Sequence, residues 1–306
     1  MAQGDVMSFH SGELEVQQRA GVREMADQVA HGIAEFVPGR STDFLERRRM
    51  VVLGTVDSRS RAWASVVTGA PGFVSVPDPH TVRLGSLPPA GDPLIGNLAR
   101  ESHAALLAID FLSPRRLRVN GQGIIQDGAI HIRTEQVYGN CRRYIQERMF
   151  FGSRPTGHAD EATPARSSTL SAAQRLQISA ADTFFIASDH AEQGADVSHK
   201  GGDPGFVRVI DARHISFPDY NGNNMFNTLG NIAVNPRAGL LFVDFDSGRT
   251  LQLSGFAVID WSAERARGFA GAERTIDFEV EEIIDNSLGF PLLAKFRQFS
   301  RFNPKP

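Results

Sequence analysis

The chain has 306 residues but only one cysteine, Cys141, and two tryptophans. A single thiol cannot form an internal disulfide, and the first residues, "MAQGDVMSFHSGELEVQQ", lack the apolar core of a signal peptide. We therefore expect a cytoplasmic protein. No segment approaches the roughly 18 consecutive apolar residues of a membrane span, so no contact with a membrane is expected.

The chain also has little excess of charge of either sign. The 32 basic and 35 acidic residues give a net charge of −3, and no long basic run occurs. This balance argues against a nucleic-acid partner and favours a small-molecule substrate. The motifs GxGxxG, GxxxxGK[ST] and GxSxG are absent, so a Rossmann site, a P-loop and a hydrolase nucleophile elbow lack support. No histidine pair has metal-ligand spacing, so no metal site is predicted.

The chain contains an internal repeat. "DPLIGNLARESHAALLAIDF" (92–111) and "FNTLGNIAVNPRAGLLFVDF" (226–245) align without gaps and share eight of twenty residues, where average composition gives roughly one or two. Further pairs are "PGFVSV" (71–76) with "PGFVRV" (204–209) and "LRVNG" (117–121) with "LQLSG" (251–255). The sequence therefore predicts one fold that occurs twice.

Four regions follow from this repeat. Residues 1–40 are predicted to form a helical arm, because apolar residues from Leu14 to Phe36 recur at roughly helical spacing. Residues 41–150 form the first β-rich domain, and 151–172 form a linker of small and polar residues. Residues 173–306 form the second domain with a C-terminal extension. "YGNCRRYIQER", at the end of the first domain, is predicted to be a helix capped by Asn140.

The order of short strands, a short helix and the segment "NPRAGLLF" resembles the pyridoxamine 5′-phosphate oxidase-like family of flavin-binding split barrels. Both halves match, and the second matches better. The resemblance implies a mainly β fold with flanking helices: two tandem FMN-binding split β-barrels that form an intrachain pseudo-dimer. It further implies an FMN-dependent oxidoreductase that transfers hydride or electrons between the flavin and a small organic substrate, with NAD(P)H, a separate reductase or oxygen as the electron partner.

Matching residue by residue, the resemblance places a phosphate-binding cluster at Asn227 and Thr228. Because both are neutral, the positive charge must come from elsewhere, and "SHKGG" supplies a Gly-rich turn with suitable donors. The resemblance also aligns Arg249 and Gln252 with positions that reach the flavin. Arg118 lies opposite this region in the repeat and could complete the flavin site across the pseudo-dimer. The predicted cofactor-binding set is Ser198, His199, Lys200, Asn223, Asn227, Thr228, Arg249, Gln252 and Arg118. Catalytic residues are not assigned.

Several questions stay open at the sequence level. A pseudo-twofold pair offers two grooves, but the first copy has "SVVTG" where the second has "SHKGG". We expect either one site on the second half or two sites in a chain-level homodimer. Arg115, Arg116 and Arg118 could bind an anionic substrate or complete the flavin site. The alternative function is a non-catalytic protein that binds flavin, deazaflavin or haem at a degenerate site.

Overall fold

The computed structural model describes residues 9–153, 163–287 and 289–305. Two antiparallel sheets dominate it, one in each half of the chain, and helices flank them. The first half contains α1 (Ser11–Arg19), α2 (Arg23–Ala30), α3 (Gly39–Glu46), β1 (Met50–Val56), β2 (Ala62–Thr68), β3 (Val74–Asp78), β4 (Thr81–Leu84), α4 (Leu94–Leu98), β5 (His103–Asp110), β6 (Arg115–Gln126), β7 (Ala129–Asn140) and β8 (Glu147–Ser153).

The second half repeats this series. It contains β9 (Ala165–Ser167), α5 (Ala172–Ala180), β10 (Thr183–His190), β11 (Gly194–Gly201), β12 (Arg208–Val209), β13 (His214–Tyr220), α6 (Asn227–Val234), β14 (Arg237–Val243), β15 (Thr250–Asp260), α7 (Ala263–Arg267), β16 (Ala272–Asn286) and β17 (Leu292–Gln298). The predicted linker 151–172 holds the end of β8 and all of β9, and its residues 154–162 lie outside the described residues.

The two sheets have the same strand order. The first runs β2-β1-β5-β6-β7-β4-β3 and the second β11-β10-β14-β15-β16-β13-β12, with β9 added beside β16. Helices α4 and α6 occupy the same place in each half. Each directly precedes, along the chain, the third strand of its sheet, which is β5 in the first sheet and β14 in the second. The predicted fold class is confirmed: the protein is mainly β and consists of two tandem units.

Strand alternation explains why the two units pack together. On β1, Val51 and Leu53 belong to the core inside the first unit, while Met50 and Val52 face a central core. The strands of the second unit divide in the same way, with alternate residues in its own core and in the central one. Because successive residues of a strand point to opposite faces, a continuous apolar run produces a strand buried on both sides. The central core joins the units into a pseudo-dimer.

The N-terminal arm and the Cys141 segment differ from the sequence predictions. Gly21, at a φ of 70°, separates α1 from α2, so the apolar stripe is not continuous; Met25 and Val29 are 48% and 38% exposed. The predicted helix at "YGNCRRYIQER" is wrong. Tyr144 has a left-handed backbone conformation (φ 64°) that interrupts a helix, and the chain there ends β7 and begins β8. Among the described residues, no helix has the length and apolar character to cross a membrane.

Candidate functional site

A cleft lies where the two units meet, and both units line it. β6 and the connection from β7 to β8 form one wall, while β11 and the segment from Pro218 to Leu229 form the other. Its volume is about 110 Å³, which holds a few waters at roughly 30 Å³ each or one phosphate-sized anion. A larger ligand would extend from this space to the mouth of the cleft.

The cleft contains seven of the nine predicted cofactor-binding residues. The packing of β6 and α6 against β11 and the chain reversal before α6 bring together positions that are far apart in sequence. The seven are Arg118, Ser198, His199, Lys200, Asn223, Asn227 and Thr228. The structure thus brings seven of the nine predicted residues together in one cleft whose walls come from both halves.

Arg118 does not present a free charge to the cleft. Its side chain is almost fully buried and forms an ion pair with Asp196 at 2.6 Å. It also donates to Tyr138, Asn227 and Ser198. Lys200 likewise has an acidic partner, Asp219, at 2.7 Å. Two of the expected positive charges are therefore largely compensated within the protein.

Arg116 carries the uncompensated charge. It lies on the same face of β6 as Arg118, two residues away, and within the described residues it has no carboxylate partner. Its guanidinium donates to His199 and to the backbone oxygens of Cys141 and Arg143. Burial lowers the pKa of Arg116 to about 10, which still leaves it protonated at neutral pH. In the sequence, Arg116 is one of three arginines that could bind an anion, and Arg118 is the one in the predicted cofactor-binding set. Only the tertiary structure reveals which of them meets Asp196.

Some residues that line the cleft also have buried donors without partners. Within the described residues, the lining contributes four buried side-chain nitrogens that have no hydrogen-bond partner: Arg116 Nε, Arg118 Nε, Asn140 Nδ2 and His199 Nε2. Burial and the nearby charges of Arg116, Arg148 and Lys200 hold the pKa of His199 well below its usual value, so the ring is neutral. Since Arg116 can only donate, its contact with His199 Nδ1 (3.3 Å) leaves the ring proton on Nε2.

All four of these groups are donors. A buried donor without an acceptor is costly, and native structures seldom leave several together unless a ligand or water completes them. Together with the extra charge of Arg116, they make the cleft complementary to an anion. Among the described residues, no group of three or more His, Cys, Asp or Glu side chains is arranged to hold a metal ion.

The first turn of α6 borders the cleft. Phe226 is its N-cap residue, with a φ of 60°, and no side chain caps the helix. Thr228 is hydrogen-bonded to Asp196 and Ser198. Asn227 accepts from Arg118 at 3.1 Å and donates to Glu13 at 2.6 Å. The side chains of Asn227 and Thr228 therefore shape the wall, while the first backbone N–H groups of α6 lack partners within the helix.

Glu13, on α1, was missed by the sequence analysis. Its side chain is buried behind Asn227, and burial raises the pKa of the carboxyl group to about 7. No local pattern pointed to it, because the capping box that Glu13 forms with His10 is an ordinary helix start. Only the packing of α1 on α6 brings this acid near Arg118.

Asn223 and two tyrosines complete the walls. Asn223 donates to Asn140 at 2.7 Å and so ties the two units together. The rings of Tyr144 and Tyr220 lie 5.1 Å apart, centroid to centroid, and Tyr144 donates to the backbone oxygen of Asn221.

Arg249 and Gln252 do not lie in this cleft. Arg249 is partly exposed and forms an ion pair with Asp285 at 2.5 Å. Gln252 aligns with Arg118 in the repeat, and it likewise points across to the opposite unit. Its amide therefore reaches the second, pseudo-equivalent groove, where it donates to Ser65 and to Asp92. The structure therefore does not place these two residues with the other seven, and their predicted role at the flavin stays a prediction.

Asp92 fills that second groove. Its carboxylate accepts from Ser65 at 2.6 Å, from the backbone of Leu94 at 2.9 Å and from Gln252 at 3.1 Å. Burial raises the pKa of Asp92 to about 6. Ser65 aligns with Ser198, and Gln252 aligns with Arg118, so the two grooves are built from equivalent positions. The second groove differs because it contains the side chain of Asp92.

Comparison with known proteins finds similarity to solved structures only. No family model matches the chain, and no curated protein matches it. HupZ from Group A Streptococcus is 16% identical, with 40% of this chain and 98% of HupZ covered and a TM-score of 0.33. A Lactobacillus delbrueckii protein, provisionally assigned as a pyridoxamine 5′-phosphate oxidase, is 16% identical, with 39% and 97% covered and a TM-score of 0.32.

A third similar structure is an FAD-binding protein from Mesorhizobium loti. It is 14% identical, with 38% of this chain and 94% of that chain covered and a TM-score of 0.26. Each of the three structures thus corresponds in length to about two fifths of this chain.

Proposed function

We propose that this protein is an FMN-dependent oxidoreductase that binds the phosphate of FMN in the cleft between its two units. The observation that carries the proposal is the set of four unpartnered donors on residues of the cleft. One of them is Nε of Arg116, whose charge has no acidic partner within the described residues. A phosphate would accept from these donors and balance that charge. The resemblance of the repeated sequence to flavin-binding split barrels independently leads to the same cofactor.

The residues of the cleft have distinct roles in this proposal. Arg116 and His199 hold the phosphate, and Lys200 adds charge from β11. Arg118 keeps the wall rigid through Asp196 and Asn227. Tyr144 and Tyr220, whose rings pack against each other, would offer an aromatic surface beside a planar ring. When bound, FMN supplies hydride transfer to or from a small organic substrate, with NAD(P)H, a separate reductase or oxygen as the electron partner. Asp92 keeps the second groove closed, so one flavin binds per chain.

The acidic partners of Arg118 and Lys200 favour a second candidate. Because Asp196 and Asp219 compensate two of the three cleft cations, the site has less positive charge than a phosphate dianion requires. A non-catalytic protein that binds flavin, deazaflavin or haem would tolerate such a site. Bleaching of the bound flavin by NAD(P)H or dithionite, followed by substrate-dependent reoxidation, separates this candidate from the enzyme.

The first test is the absorbance spectrum of the purified protein after gel filtration. Flavin bands that remain with the protein, at one flavin per chain, support the proposal. A colourless protein that also fails to take up added FMN would rule it out.

Site variants then localise the cofactor. Lys200→Ala should weaken FMN binding by roughly ten- to a hundredfold, because it removes a charge-assisted contact and leaves Asp219 facing the phosphate. Thr68→Ala, in the corresponding region of the first unit, is the matched control and should change affinity little. Equal losses in the two variants would show that both grooves bind the cofactor.

A further inference from the structure

Two depressions adjoin the cleft at the start of β6 and the end of β7. The first, of about 330 Å³, shares Arg116 and Asn140 with the cleft. The second, of about 590 Å³, shares Arg115 and Arg142 with the first. The first depression therefore borders the cleft, and the second depression borders the first.

Arginines line this path without acidic partners. Arg40, Arg115 and Arg142 line the first depression, and Arg301 joins Arg115 and Arg142 in the second. Within the part of the chain that the structure describes, none of the four forms an ion pair. The first depression has no acid in its lining. The acid that lines the second is Glu147, which already forms an ion pair within the β8–β17 sheet.

Two of these arginines are stacked on aromatic rings. Arg115 lies over Phe44 and Arg301 over Phe302, each with its guanidinium carbon 4.9 Å from the ring centroid. A stacked guanidinium has a restricted orientation while its edge N–H groups stay free to donate. The stacking therefore prepares the donors for a ligand.

The clustering of these four arginines, rather than their lack of partners, distinguishes them from other surface arginines. Some exposed arginines elsewhere pair with acids, as Arg47 and Arg213 do, and others, such as Arg59 and Arg175, have no ion pair within the described residues. Four arginines without partners, next to the unpaired Arg116, form a strongly positive region in a protein of slightly negative net charge. Such a region concentrates anions from solution.

We propose that the two depressions form a groove for an extended polyanion, an organic cosubstrate with two or more phosphate groups. One phosphate engages one or two arginines in a bidentate manner, whereas these four are spread over two neighbouring depressions. Because Arg116 and Asn140 line both the cleft and the first depression, the phosphates would lie along the arginines and the remainder of the ligand would lie beside the cleft. This proposal rests on the proposed function in one respect only, namely that the polyanion exchanges electrons with a bound flavin.

The test is calorimetric titration of the full-length protein with NADPH, inorganic tripolyphosphate and orthophosphate. Tripolyphosphate and NADPH should bind more tightly than orthophosphate, and their affinities should fall steeply with added salt. The double variant Arg115→Gln/Arg142→Gln should lose roughly a hundredfold or more in affinity for both polyanions, at about tenfold or more for each charge-assisted contact removed. Arg175→Gln, which removes an exposed charge on α5, should have no effect.

The FMN affinity of the same variants separates this proposal from the flavin site. The double variant should bind FMN as the unaltered protein does. If FMN fails to bind any variant while tripolyphosphate still binds and depends on Arg115 and Arg142, the groove stands and the flavin proposal falls. Equal affinity for tripolyphosphate and orthophosphate, or a folded double variant with unchanged polyanion affinity, would overturn the groove.

Discussion

Arg118 and Asp196 form a buried ion pair at the boundary between the two units, with side chains 8% and 4% exposed. Desolvation of both charges offsets much of their attraction, so the intact pair adds little net stability. Removal of only one partner is different, because the other charge then stays buried without compensation.

Arg118→Met should therefore lower the free energy of unfolding by roughly 3–5 kcal/mol. Arg118→Met/Asp196→Leu, which removes both charges, should recover at least half of this loss. Urea unfolding of the two variants and the unaltered protein measures the difference. A double variant no more stable than the single one would show that the ion pair is not the source of the effect.

Glu13 makes stability depend on pH. Its pKa is about 7 in the folded protein and 4.5 in the reference state, because burial disfavours the carboxylate. Between these values the folded state keeps a proton that the unfolded state releases. Stability therefore falls as the pH rises from about 4.5 to 7, and the penalty is complete above that range.

Glu13→Gln should remove this slope. At pH 8 the variant should be more stable than the unaltered protein by on the order of 2–3 kcal/mol, and near pH 4.5 the two should be similar. Glutamine also preserves the capping box with His10. Urea unfolding across this pH range gives the comparison, with Glu24→Gln on exposed α2 as the control. Parallel pH profiles for Glu13→Gln and the unaltered protein would contradict the assignment.

At the scale of elements, α1 and α6 cross closely enough to require two glycines. A Cβ atom on Gly12 would overlap the backbone oxygen of Gly230, and one on Gly230 would lie 2.5–2.7 Å from atoms of Glu13. Gln17 also donates to the backbone oxygen of Met225, just before α6, at 2.9 Å. The crossing therefore holds α1 against the helix whose first turn borders the cleft.

Gly12→Ala should destabilise the protein by about 1–3 kcal/mol, because overlap with backbone atoms outweighs the gain in helix propensity. Gly39→Ala, at the start of α3 with open space around its Cβ position, is the matched control and should be neutral or slightly stabilising. Limited proteolysis of residues 9–37 and thermal unfolding report both effects. If Gly12→Ala behaves like Gly39→Ala, α1 is not held by close contact.

At the scale of the whole molecule, the central core decides how the units behave. Met50 and Leu107 of the first unit pack with Phe185 and Leu241 of the second, and all four are almost fully buried. A unit on its own would expose this apolar face to water. The two units should therefore unfold together.

Differential scanning calorimetry should show one transition, with equal calorimetric and van't Hoff enthalpies. Two resolved transitions, or a van't Hoff enthalpy near half of the calorimetric value, would mean that the central core is too weak to couple the units.

The sequence by itself determined the tandem fold. The repeat predicted two like units. In addition, the run "MVVLGTV" has the apolar composition of a buried strand, and Ser171 with Gln174 has the spacing of the capping box that begins α5. These features are local or repeat along the chain. Because they depend on interactions between residues close together in sequence, the sequence alone predicts them.

The tertiary structure decided which side chains meet at the two pseudo-equivalent positions and which charges are compensated. Asp92 is hydrogen-bonded to Ser65 and Gln252 at one position, Asp196 compensates Arg118 at the other, and Glu13 arrives from the far end of the chain, while Arg116 keeps its charge. Each outcome depends on side chains more than 25 residues apart that meet in low-dielectric surroundings, where one nearby carboxylate changes the net charge of a site. No local pattern records such meetings, so the sequence can propose which residues form a site but not the electrostatic state of that site.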